Sequence, residues 1–362
     1  MDEQGLAERL IATDTSTADG LISAAGFVKG WLEARDVGVA AQLHAGLPVL
    51  VAEVGPEPGP DVPTVILHGH LDVVPAHPEQ FTPRVEGDRL IGRGAYDMKG
   101  GLAGMLCALT DARDQDRVRV RLVCVPDEEA EDVERRSIDK LVNEQGLRGD
   151  FAITGEPTDL RIGVQAKGVL ALRLAVDGRA AHGSTPWLGD NAILKAHDVF
   201  RRIETLPFSR ESSDLFDRPS INLARIAGGD AFNKVPDRCE IDVDIRYLPG
   251  QDPQEIKGQI EAIGDVEIVK CFTWGPAIVD RADPFVVALR EAAGGAMSVG
   301  RDGSSDAVTF LNAGIPAVEF GPTGAGHHGP EEWVSIASLA RYRETLGAFI
   351  RGVAAPAVRE VA

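Results

Sequence analysis

The sequence predicts an α/β fold in two parts, a larger α/β domain interrupted by a smaller α+β module. Three observations carry this. Apolar, β-favouring runs alternate with helical periodicity at both ends of the chain, the pattern of a sheet covered by helices. The middle of the chain instead reads strand, helix, strand, strand, helix, strand. One apolar run, Val65-Ile66-Leu67, stops abruptly at His68-Gly69-His70-Leu71-Asp72, a polar cluster at a strand end, which is where open α/β sheets place their ligands.

The elements follow in order. Residues up to about 35 carry Ala, Leu, Ile and Val at three-to-four spacing and predict helix, broken by a polar loop at 13–20. Residues 48–54 predict a strand, 55–63 a Pro/Gly-rich loop, and 65–72 the central strand with its polar end. A long loop through Pro75, Pro78 and Pro83 leads to Gly92-Arg93-Gly94-Ala95-Tyr96-Asp97-Met98-Lys99-Gly100-Gly101. Residues 102–109 are small and apolar on all sides, as a helix buried against a sheet requires. Strands are predicted at 118–125 and 150–154, the first ending in Pro126-Asp127-Glu128-Glu129-Ala130-Glu131 and the second in Gly155-Glu156-Pro157-Thr158.

The composition then changes. Strand 168–176, helix 191–206, strands 220–226 and 238–247, helix 253–263 and strand 266–272 have the order of a ferredoxin-like module. Helix 283–293, a helix opening at Gly303-Ser304-Ser305-Asp306, strand 315–320 and helix 335–353 resume the α/β pattern. The expected division is therefore 1–166 with 281–362 as one domain and 167–280 as its insertion.

Composition narrows the function. At 362 residues, 44% hydrophobic and 26% charged, the chain has ample length for a real core. A net charge of -19 argues against nucleic acid or an anionic membrane as partner. The four cysteines, Cys107, Cys124, Cys239 and Cys271, lie far apart without C-x-x-C spacing, so they predict neither a zinc-thiolate site nor a disulfide framework. Each sits in or beside an apolar run and is expected to be a buried free thiol. The N-terminus lacks a signal-peptide pattern and no run of eighteen apolar residues occurs, so a cytoplasmic location is expected.

Each polar cluster admits two readings. His70 and Asp72 lie two apart on one side of an extended chain, which suits a metal ligand backed by a carboxylate, or merely a capped strand end. Asp97 faces a metal, or caps the helix that follows. The acids at 127–131 are a solvated charge run, or they gather around something cationic. Together, however, His70, Glu128-Glu129, Glu156, His328 and Asp97 supply two imidazoles and several carboxylates from loops that follow strands or precede a helix. Such a set holds two divalent ions with one carboxylate shared, and mixed nitrogen and oxygen donors favour zinc over magnesium or calcium. Two ions about 3.5–4 Å apart acidify a water and polarise a carbonyl. One of the adjacent acids can then take the proton of that water.

On these motifs the sequence resembles the dizinc metallopeptidase family that holds acetylornithine deacetylase, succinyl-diaminopimelate desuccinylase, aminoacylase and the glutamate carboxypeptidases. The resemblance is carried by residues 68–75, Gly92-Arg93-Gly94, residues 97–101, Asp127-Glu128-Glu129, residues 155–158 and His328-Gly329-Pro330-Glu331-Glu332. It implies a zinc-peptidase domain with a mixed sheet between helices, and an inserted ferredoxin-like lid domain that mediates homodimerisation. It implies two Zn2+, with Co2+ or Mn2+ able to substitute: His70 and Glu156 on one, Glu129 and His328 on the other, and Asp97 between them. Glu128 is then the general base, Asp72 orients His70, and His327 is a neighbour of the ligand rather than a ligand. His182, in Ala181-His182-Gly183-Ser184-Thr185-Pro186, is expected to stabilise an oxyanion in the partner's site, although Gly183 stands where the family has serine. Asn233, Arg246, Ser304 and Lys167 resemble substrate-contacting positions.

The implied substrate is a small N-acyl amino acid or dipeptide. Gly303-Ser304-Ser305-Asp306 and Val318-Glu319-Phe320-Gly321-Pro322 resemble the desuccinylase most. Against that, an arginine which the desuccinylase carries shortly afterwards is replaced by Ala307-Val308-Thr309, and its Arg-Arg-Gly reads Ala166-Lys167-Gly168. Three other readings stand beside a deacylase. A dipeptidase or carboxypeptidase would use the same chemistry. A non-catalytic metal-dependent amino-acid binder would have no use for Glu128. A dinuclear phosphoesterase would want more His and Asn ligands.

Overall fold

The computed structural model describes residues 1–129 and 136–353, so Glu131 of the acidic run lies outside the described residues. The chain divides into two compact units: residues 1–164, 279–299 and 306–362 form the first, and 165–278 with 300–305 the second. Ser304 therefore belongs to the second unit, although its position in the sequence lies beyond the inserted module.

Unit one is built on a mixed sheet. Thr64–His70 sits centrally, parallel to Arg119–Val125 on one side and to Phe151–Thr154 on the other. Ala317–Glu319 extends the parallel part beyond Phe151–Thr154, and Leu47–Val54 pairs antiparallel with the far edge of Arg119–Val125. All seven residues of Thr64–His70 are buried, as a strand covered on both faces must be. One face of the sheet packs Ile66, Val123, Val125 and Ala152 against Ala307, Phe310 and the 138–142 segment. Gly100–Asp111 is buried along its first ten residues and packs against Ile336–Gly352. The break after the first helix has a local cause: the Thr17 side chain accepts from the Gly20 amide and starts Ala18–Glu33 afresh.

Unit two is a four-stranded antiparallel sheet in the order Ser220–Gly228, Arg238–Tyr247, Gly168–Asp177, Glu267–Trp274. That is second, third, first, fourth along the chain, as a ferredoxin-like module requires. Leu170, Leu172, Leu174 and Val176 alternate inward and meet Ala192, Ala196, Val199, Phe200 and Ile203 of the Ala192–Ile203 helix. The Asn191 side chain caps that helix, accepting from the amides of Ile193 and Leu194.

Among the described residues the sequence misses several strands of two to four residues and two of five residues or more. Val39–His44 pairs with Leu47–Val54 as a hairpin, and its largely exposed Ala-Ala-Gln stretch carries no apolar alternation to reveal it. Ile162–Ala166 is a buried five-residue strand with only weak β-favouring character. Among the described residues no helix is long and apolar enough to cross a membrane.

The cysteine expectation also needs correcting at one position. Cys107, Cys124 and Cys239 are buried and free, whereas Cys271 is exposed, because Glu267–Trp274 is an edge strand that pairs only with Gly168–Asp177. Burial pushes the Cys107 and Cys124 thiols up to about 12, far from the reactive range. A disulfide reagent should therefore titrate one thiol in the folded protein and four after denaturation. Rapid reaction of more than one in the native state would contradict this packing.

Candidate metal centre

Three parallel strands end side by side and deliver the first groups. His70 closes the central strand opposite Val125, and His68 lies opposite Thr154, so the chain leaving each neighbour emerges beside His70. Just past the strand, Asp72 binds back: its carbonyl lies 2.9 Å from His70 Nδ1, and its carboxylate 3.4 Å from the same atom. That carboxylate also accepts the backbone amides of Glu128, at 3.2 Å, and Glu129, at 2.7 Å. One side chain thus fixes the His70 ring and the bend carrying both glutamates.

The donors converge on Asp97, at the turn into Gly100–Asp111. His70 Nε2 is 3.1 Å from Asp97 Oδ1 and 3.9 Å from Glu156 Oε1. On the other oxygen, Asp97 Oδ2 contacts His327 Nε2 directly and lies 3.4 Å from His328 Nε2, which is itself 2.9 Å from Glu129 Oε1. Two donor sets result, His70/Asp97/Glu156 and Asp97/His327/His328, each with one ligand atom per residue lying within 4.8 Å of the others. Asp97 is common to both. The structure thus brings together all five sequence-predicted ligands, with Glu128 and Asp72 beside them, and adds His327.

The electrostatics ask for added positive charge. Burial pushes the carboxyls of Glu128 and Glu156 well above the usual range, reinforced by Asp306 at Glu128 and by Asp97 at Glu156. Burial would raise Asp97 too, but His327, His328 and His70 hold it well below the ordinary value. His70 is suppressed by burial and then more than restored by Asp72 and Asp97. Hydrogen bonds to Asp97 and Glu129 push His328 up to about 10. Glu156 Oε1 is buried with no hydrogen-bond partner. Crowded carboxylates, an orphaned oxygen and imidazole nitrogens aimed at one shared Asp fit two divalent cations.

Two supporting clusters escape sequence reasoning. Glu332 is buried and accepts from Arg93 Nη1 at 2.7 Å and from the amides of Gly94, Tyr96 and Asp97 at 3.0, 2.9 and 3.0 Å, clamping the turn that carries Asp97. Arg136 Nη1 lies 3.2 Å from Glu128 Oε1 and 2.6 Å from Asp306 Oδ1, and Asp306 Oδ2 lies 3.4 Å from His68 Nε2. Burial drives His68 down to about 4, so its ring is neutral at physiological pH. Arg93, Glu332 and His68 all stand in motifs visible in the sequence. Arg136 has no such signal.

The remaining predicted residues lie in unit two. His182 is exposed, with Nδ1 2.7 Å from Ser184 Oγ. The Gly183 amide donates to the Asn233 carbonyl at 2.7 Å, and a Cβ at Gly183 would come within 3.1 Å of the Asn233 backbone. Glycine in place of serine therefore permits the close approach of the His182 and Asn233 loops. Arg246 is half-buried and paired with Asp244 at 3.1 Å. Lys167 is buried, 2.8 Å from Asp302, and donates to the Arg218 carbonyl at 2.7 Å. Lys167, Phe216, Arg218, Ser220 and Asp302 line a cavity of about 650 Å3 within this unit. Ser304 is half-buried.

Comparison with known proteins identifies the family of the chain. Residues 66–352 match the model of peptidase family M20/M25/M40. A Mycobacterium tuberculosis protein named for succinyl-diaminopimelate desuccinylase is 32% identical over 300 residues, covering 80% of this chain and 82% of that one. Acetylornithine deacetylase of Salmonella typhimurium is 34% identical over 208 residues, covering 54% of this chain and 53% of the other. In structure, a tripeptidase from Staphylococcus aureus superposes with a TM-score of 0.79 at 21% identity, over 97% of this chain and 98% of that one, and so shares the fold. With the family pattern running from residue 66 to residue 352 and its polar motifs gathered around Asp97, the protein belongs to peptidase family M20/M25/M40 and is a metallo-hydrolase of that family.

Proposed function

We propose that the protein is an amidohydrolase that removes the acyl group from an N-acyl amino acid, of the succinyl-diaminopimelate desuccinylase or acetylornithine deacetylase type. The observation that carries this reading is Glu128 standing next to Glu129 on the bend pinned by Asp72, beside two donor sets that share Asp97. A binding protein needs the donors but not the extra acid.

In this reading His70 and Glu156 hold one cation, Glu129 and His328 the other, and Asp97 lies between them, zinc being the expected metal and cobalt or manganese able to replace it. With both bound, the site gains Lewis-acid polarisation of an amide carbonyl and a water acidic enough to attack it. Glu128 takes the proton from that water as its oxygen adds to the carbonyl carbon. When the carbon–nitrogen bond breaks, Glu128 delivers the proton to the leaving amine, so the products are a free carboxylate and a free amine. Arg136, 3.2 Å away, orients the Glu128 carboxylate for both transfers.

Unit two supplies the proposed substrate contacts and the interface of a cytoplasmic homodimer. Asn233, Arg246, Ser304 and Lys167 face the substrate's polar groups, and His182 of the partner subunit stabilises the oxyanion. The ion pair of Lys167 with Asp302 weakens its pull on a succinyl carboxylate, which keeps acetyl beside succinyl as the acyl group. Zinc-loaded enzyme incubated with succinyl- and acetyl-amino acids should release succinate or acetate together with free amine. Cleavage confined to dipeptides would make the protein a peptidase of the same chemistry. Turnover of neither class would defeat the proposal.

A further inference from the structure

The family pattern uses one histidine of the His327-His328 pair, yet the structure aims both at the same carboxylate. Adjacent residues of an extended chain point to opposite sides. Here a tight turn removes that constraint: the Gly329 amide donates to the Gly326 carbonyl at 2.7 Å, which puts His327 and His328 at the two central positions. His328 takes φ +57°, a left-handed conformation that side chains other than glycine rarely adopt. Buried groups hold the turn in that form. Arg93 Nη2 donates to the His328 carbonyl at 2.9 Å, and Gln80 Nε2 to the Gly329 carbonyl at 3.1 Å. The two rings meet edge to face with centroids 4.3 Å apart, and the Tyr96 ring backs His327 at 6.3 Å. Both Nε2 atoms face Asp97 Oδ2, and His328 Nε2 also faces Glu129 Oε1.

We propose that His327 is a direct metal ligand, so that the position between Asp97, Glu129 and His328 has four protein donors, two of them imidazoles. The inference rests on the two-cation reading above. It makes the two positions unequal. The other set, His70, Asp97 and Glu156, offers one nitrogen and two carboxylates. A four-donor set with two nitrogens holds zinc or cobalt more tightly and leaves less room for water. A three-donor set keeps a place open for water or substrate. The His327 position is thus the tighter and the first to fill, while the His70 position meets the substrate.

Calorimetric titration of the metal-free enzyme with Zn2+, and absorption spectra with Co2+ as the probe, test this on wild type, His327→Ala, His327→Gln and His328→Ala. The expected wild-type result is two classes of site. Both His327 variants should weaken the tighter class by more than about 100-fold, beyond the 10–100-fold span of residues that only support a ligand. They should also change the visible spectrum of the first cobalt bound. His327 is half-exposed, and thermal melting of the metal-free variants should match wild type, separating ligand loss from misfolding. Two sites of unchanged affinity and spectrum in both His327 variants would overturn the assignment, as would weakening below 10-fold with an unchanged first-cobalt spectrum. If wild type itself binds fewer than two ions, the two-cation reading fails, and the assignment of His327 with it.

Discussion

Glu128→Gln is expected to keep both metals and lose about 10²- to 10⁴-fold in kcat, the span of a missing general base. Glutamine has nearly the same shape, and the contacts that hold the bend are backbone amides given to Asp72, which the exchange leaves in place. Glu129, the proposed ligand, is untouched and still meets His328. What disappears is the carboxylate beside Arg136, and with it the only group in this arrangement proposed to carry a proton from water to amine. Metal analysis and steady-state kinetics on the same preparation separate the two functions. Turnover near wild type would remove Glu128 from the role of base, whereas lost metal with lost turnover would make it a ligand.

Glu332→Ala has the largest expected effect on stability. Glu332 is 1% exposed, and it accepts from Arg93 and three successive-turn amides. Removing it leaves the Arg93 guanidinium, 3% exposed, without its counter-charge. Breaking a buried pair in this way costs about 3–5 kcal/mol. The loss should appear as a lower urea midpoint for the metal-free protein. Weaker metal uptake should accompany it, because the Asp97 amide is among the groups released. Glu332→Gln, whose amide oxygen still accepts the backbone donors but whose charge is gone, should fall between alanine and wild type. An alanine variant as stable as wild type would show that the clamp is dispensable.

Much of this was legible in the sequence because it depends on local pattern. The all-apolar run at 65–67 meant a strand covered on both faces, and the small apolar residues at 102–109 meant a helix packed on all sides. The gathering of the candidate donors was readable as well, since strand ends in such sheets gather, and the family resemblance supplied the proposed role of each. Unreadable were the pairings made across long stretches of chain. Arg93 and Glu332 are separated by 239 residues, and His327 and Asp97 by 230. Neither pairing leaves a local signature, because any arginine can meet any acid once the chain folds. The second histidine was set aside because the family motif aligns on His328, and that alignment carries no sign of the left-handed backbone at His328 which turns both rings to one carboxylate. Arg136 follows the same rule: nothing near it in the chain marks it as the partner of Glu128 and Asp306.

The flush alignment of the three parallel strands has a practical meaning for redesign. Because His70 stands level with Val125 and His68 with Thr154, a slip of one residue in either neighbour would turn every inward group outward and carry the acids away by about 3.3 Å. Substitutions that disturb the interlocking of those strands would therefore erase chemistry without touching a single ligand. Efforts to retune metal preference should leave the strands alone and begin at the turn bearing the paired imidazoles.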